Sequence, residues 1–362
     1  MLNIQKNSRC LLLLLVFSLS FPNMVFGAGE LNLKNENMNV QYVEFSESEN
    51  IGIKNFEINQ FGKEKNVDAE FRIEDFEITN DGVLNSYSGN AKKVIIPNSV
   101  KVINPGVFWE HCEIEEIVFS SELTVIEDFA FYGCENIKYV ELNGKIQKVG
   151  RAVFYNCKNL KRVFIGKNVS EIGECALFGC DSVSELVVDK DNKVYSSYNS
   201  MLLSKDKTEL IYCPATVEGV VKLHENLEKI ATNAFFNCTK ITKVVSNDKL
   251  KYIDEYAFYN CCNLVEFTFG KEIKKVRSKA FECCCLLKEV VFPDTVTYVG
   301  ASVLAGGAEN IKVTFLNQNT VIGESDDDKI FSRDQIVTIY GYENSTAQFY
   351  AEKNKCNFVI VK

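Results

Sequence analysis

The sequence predicts an α/β repeat solenoid built from units of about 23 residues. Three observations lead there. An apolar pattern, Val-x-x-Ile-x-x-x-Ala-Phe-x-x-Cys-x-x-Leu-x-x-Val-x-Ile, returns eight times, starting at Val100, Leu123, Ile146, Val169, Leu227, Leu250, Ile273 and Val296. The spacing between starts is 23 residues throughout, except for 58 between the fourth and fifth copies. The aligned columns are also uniform. Position four is Ile103, Ile126, Val149, Ile172, Ile230, Ile253, Val276 and Val299, and position nine is Phe in six copies and Leu (Leu177, Leu304) in two. A unit this short buries its apolar face only by stacking on its neighbours. Chains of this kind present surface for recognition and seldom house a reaction centre.

Within a copy, the end alternates with period two. Lys161-Arg162-Val163-Phe164-Ile165 places Val163 and Ile165 on one face and Arg162 and Phe164 on the other, which predicts a short strand. The middle spaces its apolar residues as Ala130, Cys134 and Ile137, the i, i+4, i+7 signature of one helical face. Each copy is therefore expected to hold a strand, a turn, a second extended stretch and a short helix or 3₁₀ turn.

Ahead of the repeats, residues 1–28 read as a secretion signal. Lys6 and Arg9 precede a short apolar run from Leu11 to Phe17, and Gly27-Ala28 offers a cleavage point. Residues 29–75 are polar, and either a loose arm or an irregular cap fits them. No later stretch is apolar and long enough to span a bilayer. The 362-residue chain has a net charge of −9, and loss of the leader removes Lys6 and Arg9 and no acid, giving −11. An acidic chain without a long Lys/Arg run argues against nucleic acid and anionic lipid as partners.

Between the fourth and fifth copies, an insert at 193–226 reads as a hairpin: Met201-Leu-Leu203, a polar turn at 204–208, then Leu210 to Pro214. After the last copy, Asp326, Asp327 and Asp328 lack the alternating ligand spacing of a Ca²⁺ loop and read as a solvated loop. Residues 344–353 suit a short capping helix.

Fourteen cysteines in an exported chain invite disulfides. Their register opposes this, because Cys134, Cys157, Cys180, Cys238, Cys261 and Cys284 all fall at position twelve, among core residues. A buried thiol behaves there as a small apolar side chain, and parallel stacked side chains do not readily reach the near-90° disulfide torsion. A reduced ladder is expected. Cys261-Cys262 and Cys283-Cys284-Cys285 lack the spacers of a zinc site, so no metal or cofactor is expected.

The unit resembles the BspA-like leucine-rich repeat, with its Ile-Gly-x-x-Ala-Phe-x-x-Cys-x-x-Leu pattern. Val149-Gly150-Arg151-Ala152-Val153-Phe154-Tyr155-Asn156-Cys157 and Ile253-Asp254-Glu255-Tyr256-Ala257-Phe258-Tyr259-Asn260-Cys261 show it best. The likeness runs from about Phe76 to the end. It departs modestly: Gly follows only at Gly150, Gly173 and Gly300, Cys112 comes one place late, and Gly307 replaces the last Cys. The resemblance implies a right-handed leucine-rich-repeat solenoid over 100–316, a capping hairpin over 76–99 and a strand–helix–strand cap over 317–362. It also implies a secreted or surface-associated binding protein, with host matrix or cell surfaces among its targets.

Catalytic signatures are weak. The chain has two histidines, His111 and His224; Cys112 adjoins His111, but sequence neighbours rarely share the geometry of a nucleophile and its base. No P-loop, dinucleotide fingerprint or serine elbow is present, so an enzyme is not expected. On the strands, positions seventeen and nineteen face away from the core. Val118, Tyr139, Arg162, Phe164, Val187, Val245 and Val291 there form a candidate partner-binding face. An ordinary solvent-facing sheet fits these columns equally well. The expected function is non-catalytic binding of an extracellular protein or glycan. The alternatives are a structural part of the producing cell's envelope and, at greater distance, a secreted hydrolase. The sequence does not fix the oligomeric state.

Overall fold

The computed structural model describes residues 72–323 and 328–361. The leader, most of the polar arm, and Asp326 and Asp327 lie outside the described residues.

Every copy lays down two short strands that stack in parallel on its neighbours. Positions three and four form the first ladder, which runs from Val83–Tyr87 through Val102–Ile103, Val125–Ile126 and Lys148–Val149 to Glu171–Ile172. It resumes within the insert, from Glu209–Tyr212 through Lys229–Ile230, Tyr252–Ile253, Lys275–Val276 and Tyr298–Val299 to Val321–Ile322. Positions seventeen to twenty form the second ladder, for example Tyr139–Leu142, Arg162–Ile165 and Glu185–Val188. The fold is thus a β-solenoid of leucine-rich-repeat type.

The helical expectation for the middle of each copy is corrected. The only α-helix among the described residues is Thr346–Asn354, and Ile73–Asp75 is a single 3₁₀ turn. The reason lies in the backbone. Positions seven and eleven have positive φ in all eight copies, as at Phe129 and Gly133, Ala152 and Asn156, or Tyr256 and Asn260. A left-handed residue twice in five positions cannot propagate an α-helix. The chain instead takes successive tight turns, such as Tyr132 N to Phe129 O, Cys134 N to Phe131 O and Ile137 N to Cys134 O. These turns bring Ala130, Cys134 and Ile137 to one side as a helix would.

The turns bond to one another along the stack. At every junction but that between the fourth and fifth copies, the N–H groups of positions seven, nine and eleven donate to the carbonyls of positions six, eight and ten in the following copy. At the second junction these are Phe129 to Arg151 (2.9 Å), Phe131 to Val153 (2.9 Å) and Gly133 to Tyr155 (2.7 Å). Donors always face the following copy and acceptors the preceding one. After the eighth copy the same donors are capped: Ser302 by Lys329 O (2.7 Å), Leu304 by Ile330 O (2.9 Å), and Gly306 by the Ser332 hydroxyl (2.8 Å).

Inside the turns, the position-nine rings stack on their own kind. Phe108 and Phe131 lie 4.8 Å apart, Phe131 and Phe154 5.5 Å, Phe235 and Phe258 4.6 Å, and Phe258 and Phe281 5.1 Å. Five of the six buried position-twelve thiols donate back to a position-nine carbonyl one copy earlier, as in Cys134 to Phe108 (2.9 Å), Cys180 to Phe154 (3.0 Å) and Cys261 to Phe235 (3.1 Å), while Cys238, beyond the insert, donates to Cys213 O (3.5 Å). All thirteen cysteines of the described residues are free thiols. Burial pushes the Cys134, Cys157, Cys238 and Cys261 thiols well above their usual range. At Gly173 a Cβ would lie 2.4 Å from Arg151 N in the copy before, which explains the glycine after the position-four residue.

The array opens with an antiparallel pair, Phe76–Ile78 on Val83–Tyr87. It closes with Ile336–Gly341, the helix, and Asn357–Ile360, the two strands pairing in parallel. Ser345 caps the helix by accepting from Gln348 N, and Lys355 ends it in the left-handed region. The insert begins with an antiparallel hairpin, Tyr195–Tyr198 on Met201–Ser204, turned at Asn199 and Ser200 with φ of 50° and 60°. Met201–Ser204 then pairs antiparallel with Glu209–Tyr212, which serves as a first-ladder strand, and Gly219–Lys222 joins the second ladder. The insert therefore supplies a partial rung of its own.

Truncating Phe154 to Ala should cost about 3–5 kcal/mol in denaturant unfolding, because it leaves a gap inside the ring stack. Phe154→Leu, matching Leu177 one copy on, should cost only about 1 kcal/mol. Native-state alkylation with iodoacetamide, read by mass spectrometry, should modify exposed Cys112 and Cys285 and spare the six position-twelve thiols until denaturant is added.

Candidate partner-binding surface

Alternation on the second ladder separates core from surface cleanly. Ile117, Val140, Val163 and Leu186 are buried, and the residues on either side of each point outward. Parallel register sets Tyr139 beside Arg162 and Arg162 beside Glu185, and sets Glu141 beside Phe164 and Phe164 beside Val187. Val118, Tyr139 and Val291 are exposed at 39%, 37% and 42%, and Phe164, Val187 and Val245 are half-buried. Strand pairing in this ladder breaks between Val118 and Tyr139, at the insert, and again between Val245 and Val291. Only Tyr139, Arg162, Phe164 and Val187 share one paired sheet, so the seven residues do not form one continuous stripe.

Charges on this face pair sideways between neighbouring copies. Lys93 meets Glu116 at 2.6 Å, Lys243 meets Glu266 at 2.7 Å, and Arg162 Nε approaches Glu185 at 3.5 Å. Such exposed pairs contribute roughly 0–1 kcal/mol each. Their main effect is to neutralise position seventeen, leaving the aromatic and aliphatic side chains as the distinctive features. The Tyr139 phenol is pushed up by desolvation and by a hydrogen bond to the Glu116 carboxylate, so it stays a neutral hydroxyl at physiological pH.

Other residues singled out by sequence are accounted for locally. His111 Nδ1 lies 2.6 Å from Glu113 Oε1, while the Cys112 thiol donates to Gly133 O at 3.4 Å, so the adjacent pair does not converge. Cys261 and Cys284 are buried, whereas Cys285 is exposed and Cys262 half-buried, so the adjacent thiols diverge. Among the described residues no group of three or more His, Cys, Asp or Glu side chains is placed to hold a metal ion. No helix there is long and apolar enough to cross a membrane. His224 stacks edge-on against Tyr198 at 5.0 Å, and burial lowers its pKa.

Two features escaped the sequence reading. Position ten forms an aromatic column on the outer edge of the turns: Trp109–Tyr132 at 4.1 Å, Tyr132–Tyr155 at 4.8 Å, Tyr155–Phe178 at 5.2 Å and Phe236–Tyr259 at 4.8 Å. The signal was present, since the residue after each position-nine Phe or Leu is aromatic in six copies. Because the rings cover one another's faces, the column offers edges and hydroxyls to solvent. The second feature is a cavity of about 270 Å³ where the fourth copy meets the insert and the fifth copy. Nothing local in the sequence marks it.

Tyr132→Ala should shift the emission of Trp109, the single tryptophan, to longer wavelength by uncovering its stacked face. Tyr259→Ala, beyond the insert, should leave that emission unchanged.

Among curated proteins none matches the chain. Solved structures with the same fold include the pneumococcal vaccine antigen PcpA, 21% identical with a TM-score of 0.59 over 75% of this chain and 79% of that one. A leucine-rich repeat protein from Eubacterium ventriosum is 18% identical, with a TM-score of 0.51 over 78% of this chain and 79% of that one. At these identities the likeness is one of fold. The family model for the BspA type leucine rich repeat region matches six copies, over residues 82–201 and 213–335. The stacked two-ladder turns, the position-nine and position-twelve columns and this match together place the chain in the BspA-type leucine-rich repeat family.

Proposed function

We propose that this chain is a non-catalytic recognition protein, exported from the cell, that binds an extracellular protein or glycan through the outer face of its second ladder. The observation that supports this most is the register that sets Tyr139 beside Arg162 and Phe164 beside Val187. An aromatic hydroxyl, a guanidinium and apolar surface on adjacent rungs are the side chains that dominate binding interfaces. Neighbouring charges are already paired, so the patch is approached without uncompensated repulsion. A rigid ladder also holds these side chains in place before the partner arrives, which lowers the entropic cost of binding. Export rests on the leader, with Lys6 and Arg9 ahead of Leu11 to Phe17. Host matrix and cell surfaces are the first targets to test.

The test is binding of purified residues 29–362 to immobilised matrix glycoproteins and epithelial cells, beside a Phe164→Glu, Val187→Glu variant with an unchanged melting curve. Saturable binding that falls at least about tenfold in the variant is expected, corresponding to roughly 1.4 kcal/mol. Binding that survives the double substitution would move the contact off this face. Absence of binding to every surface would favour a role in the producing cell's own envelope.

A further inference from the structure

The turn ladder is complete at every junction between consecutive copies except that between the fourth and fifth. The donors of the fourth copy are the N–H groups of Cys175, Leu177 and Gly179, and none finds a partner among the described residues. Opposite them, in the fifth copy, only the carbonyl of Ala234 is engaged, accepting from Cys213 N at 2.7 Å; those of Thr232 and Phe236 are not. The cause is the insert's own turn. From Leu210, paired with Ile230, to Val220, paired with Lys243, the chain advances ten residues where a regular copy advances thirteen. The shortened turn crosses the interior and omits the outer arc. The cavity of about 270 Å³ lies where that arc would run, lined by Cys175, Leu177 and Gly179 on one side and by Thr232 and Phe236 on the other, with Phe178 and Phe236 meeting across it at 3.9 Å. The same three donors at the end of the array are each capped by Lys329, Ile330 and Ser332.

We propose that this gap is a binding site for a short peptide segment of a partner, whose main chain completes the interrupted ladder. One wall presents three donors at alternate residues, and the other presents two open acceptors, Thr232 O and Phe236 O, four residues apart, on either side of Ala234 O, which Cys213 N already occupies. A polypeptide main chain offers complements at both spacings, as each following copy does elsewhere in the array. The volume is just under the usual ligand-pocket range of roughly 300–1,000 Å³, which suits a few residues and not a folded domain. Charge favours a peptide over an anion. Exposed Glu174 and Asp181 stand at the cavity, and its one ammonium, Lys229, is held between Glu209 at 2.9 Å and Asp254 at 3.0 Å. A basic side chain on the peptide is therefore favoured beside Glu174 and Asp181. This site is separate from the second-ladder face and stands or falls independently of it.

The test is amide hydrogen exchange on the full chain, with and without the acetylated, amidated peptide Gly-Arg-Ala-Val-Phe-Tyr-Asn-Ser, copied from residues 150–157 with serine for the cysteine. In the free protein the amides of Cys175, Leu177 and Gly179 should exchange at least about tenfold faster than those of Phe131 and Gly133. Saturating peptide should slow the three by at least about tenfold. Ala215→Trp, which fills the cavity from the insert, should abolish that slowing while Phe131 and Gly133 keep their native rates. Thr232→Trp serves if the first variant fails to fold. The proposal is overturned if the three amides are already slow in the free protein or do not respond to the peptide. It is equally overturned if a chito-oligosaccharide or inorganic phosphate protects them and the peptide does not.

Discussion

The rest of the structure depends on a backbone constraint at two positions of the repeat. Left-handed residues at seven and eleven line up the N–H groups of a turn on one side and its carbonyls on the other, so that each turn bonds to the next as a main-chain ladder. The strands of the first ladder are only two residues long in most copies. They could not hold the stack alone, and the turn bonds add three more links per junction. Twelve of the sixteen left-handed residues carry side chains, including Phe129, Tyr256 and Lys279. Each costs about 1–2 kcal/mol relative to ordinary backbone, a penalty that the bonds repeated at all junctions but one help to offset.

Those turns also explain the two most regular columns. Once the turn backbones stack at ladder spacing, the position-nine side chains must lie over one another, and a flat ring fills that spacing well. The position-twelve residue then sits against a position-nine carbonyl that already accepts one main-chain bond; Phe131 O, for example, takes both Cys134 N and the Cys157 thiol. A small apolar group with a weak donor suits that place, because it packs as a hydrophobe and still uses the second lone pair. The cysteines are thus part of the packing, and their abundance does not require cross-links.

Much of this was legible in the sequence. The 23-residue period, the buried columns and the outward direction of positions seventeen and nineteen all follow from side-chain pattern, and pattern is what burial dictates. The turn conformation was misread because Ala130, Cys134 and Ile137 fall at helical spacing, and consecutive tight turns produce the same spacing. Gly133, Asn156, Gly179, Asn237 and Asn260 hinted at left-handed backbone at position eleven. Phe129 and Ala152 at position seven concealed it, since bulky or β-carbon-bearing residues rarely adopt such angles. At the candidate face, the alternation showed which residues point outward and not that the insert divides them. That division, like the cavity, depends on how residues 193–226 return to the stack, a non-local fact no window of sequence contains.

The uniform direction of the turn bonds gives the array a head and a tail. A two-fold dimer formed by joining ends would set donors against donors, so end-to-end association of this solenoid could proceed only in one orientation, unit after unit, without closing. An uncapped tail would then be a seed for a filament. Seen this way, Lys329, Ile330 and Ser332 do more than finish the fold: by consuming the last three donors they keep a chain made of identical stacking units from continuing into its neighbour.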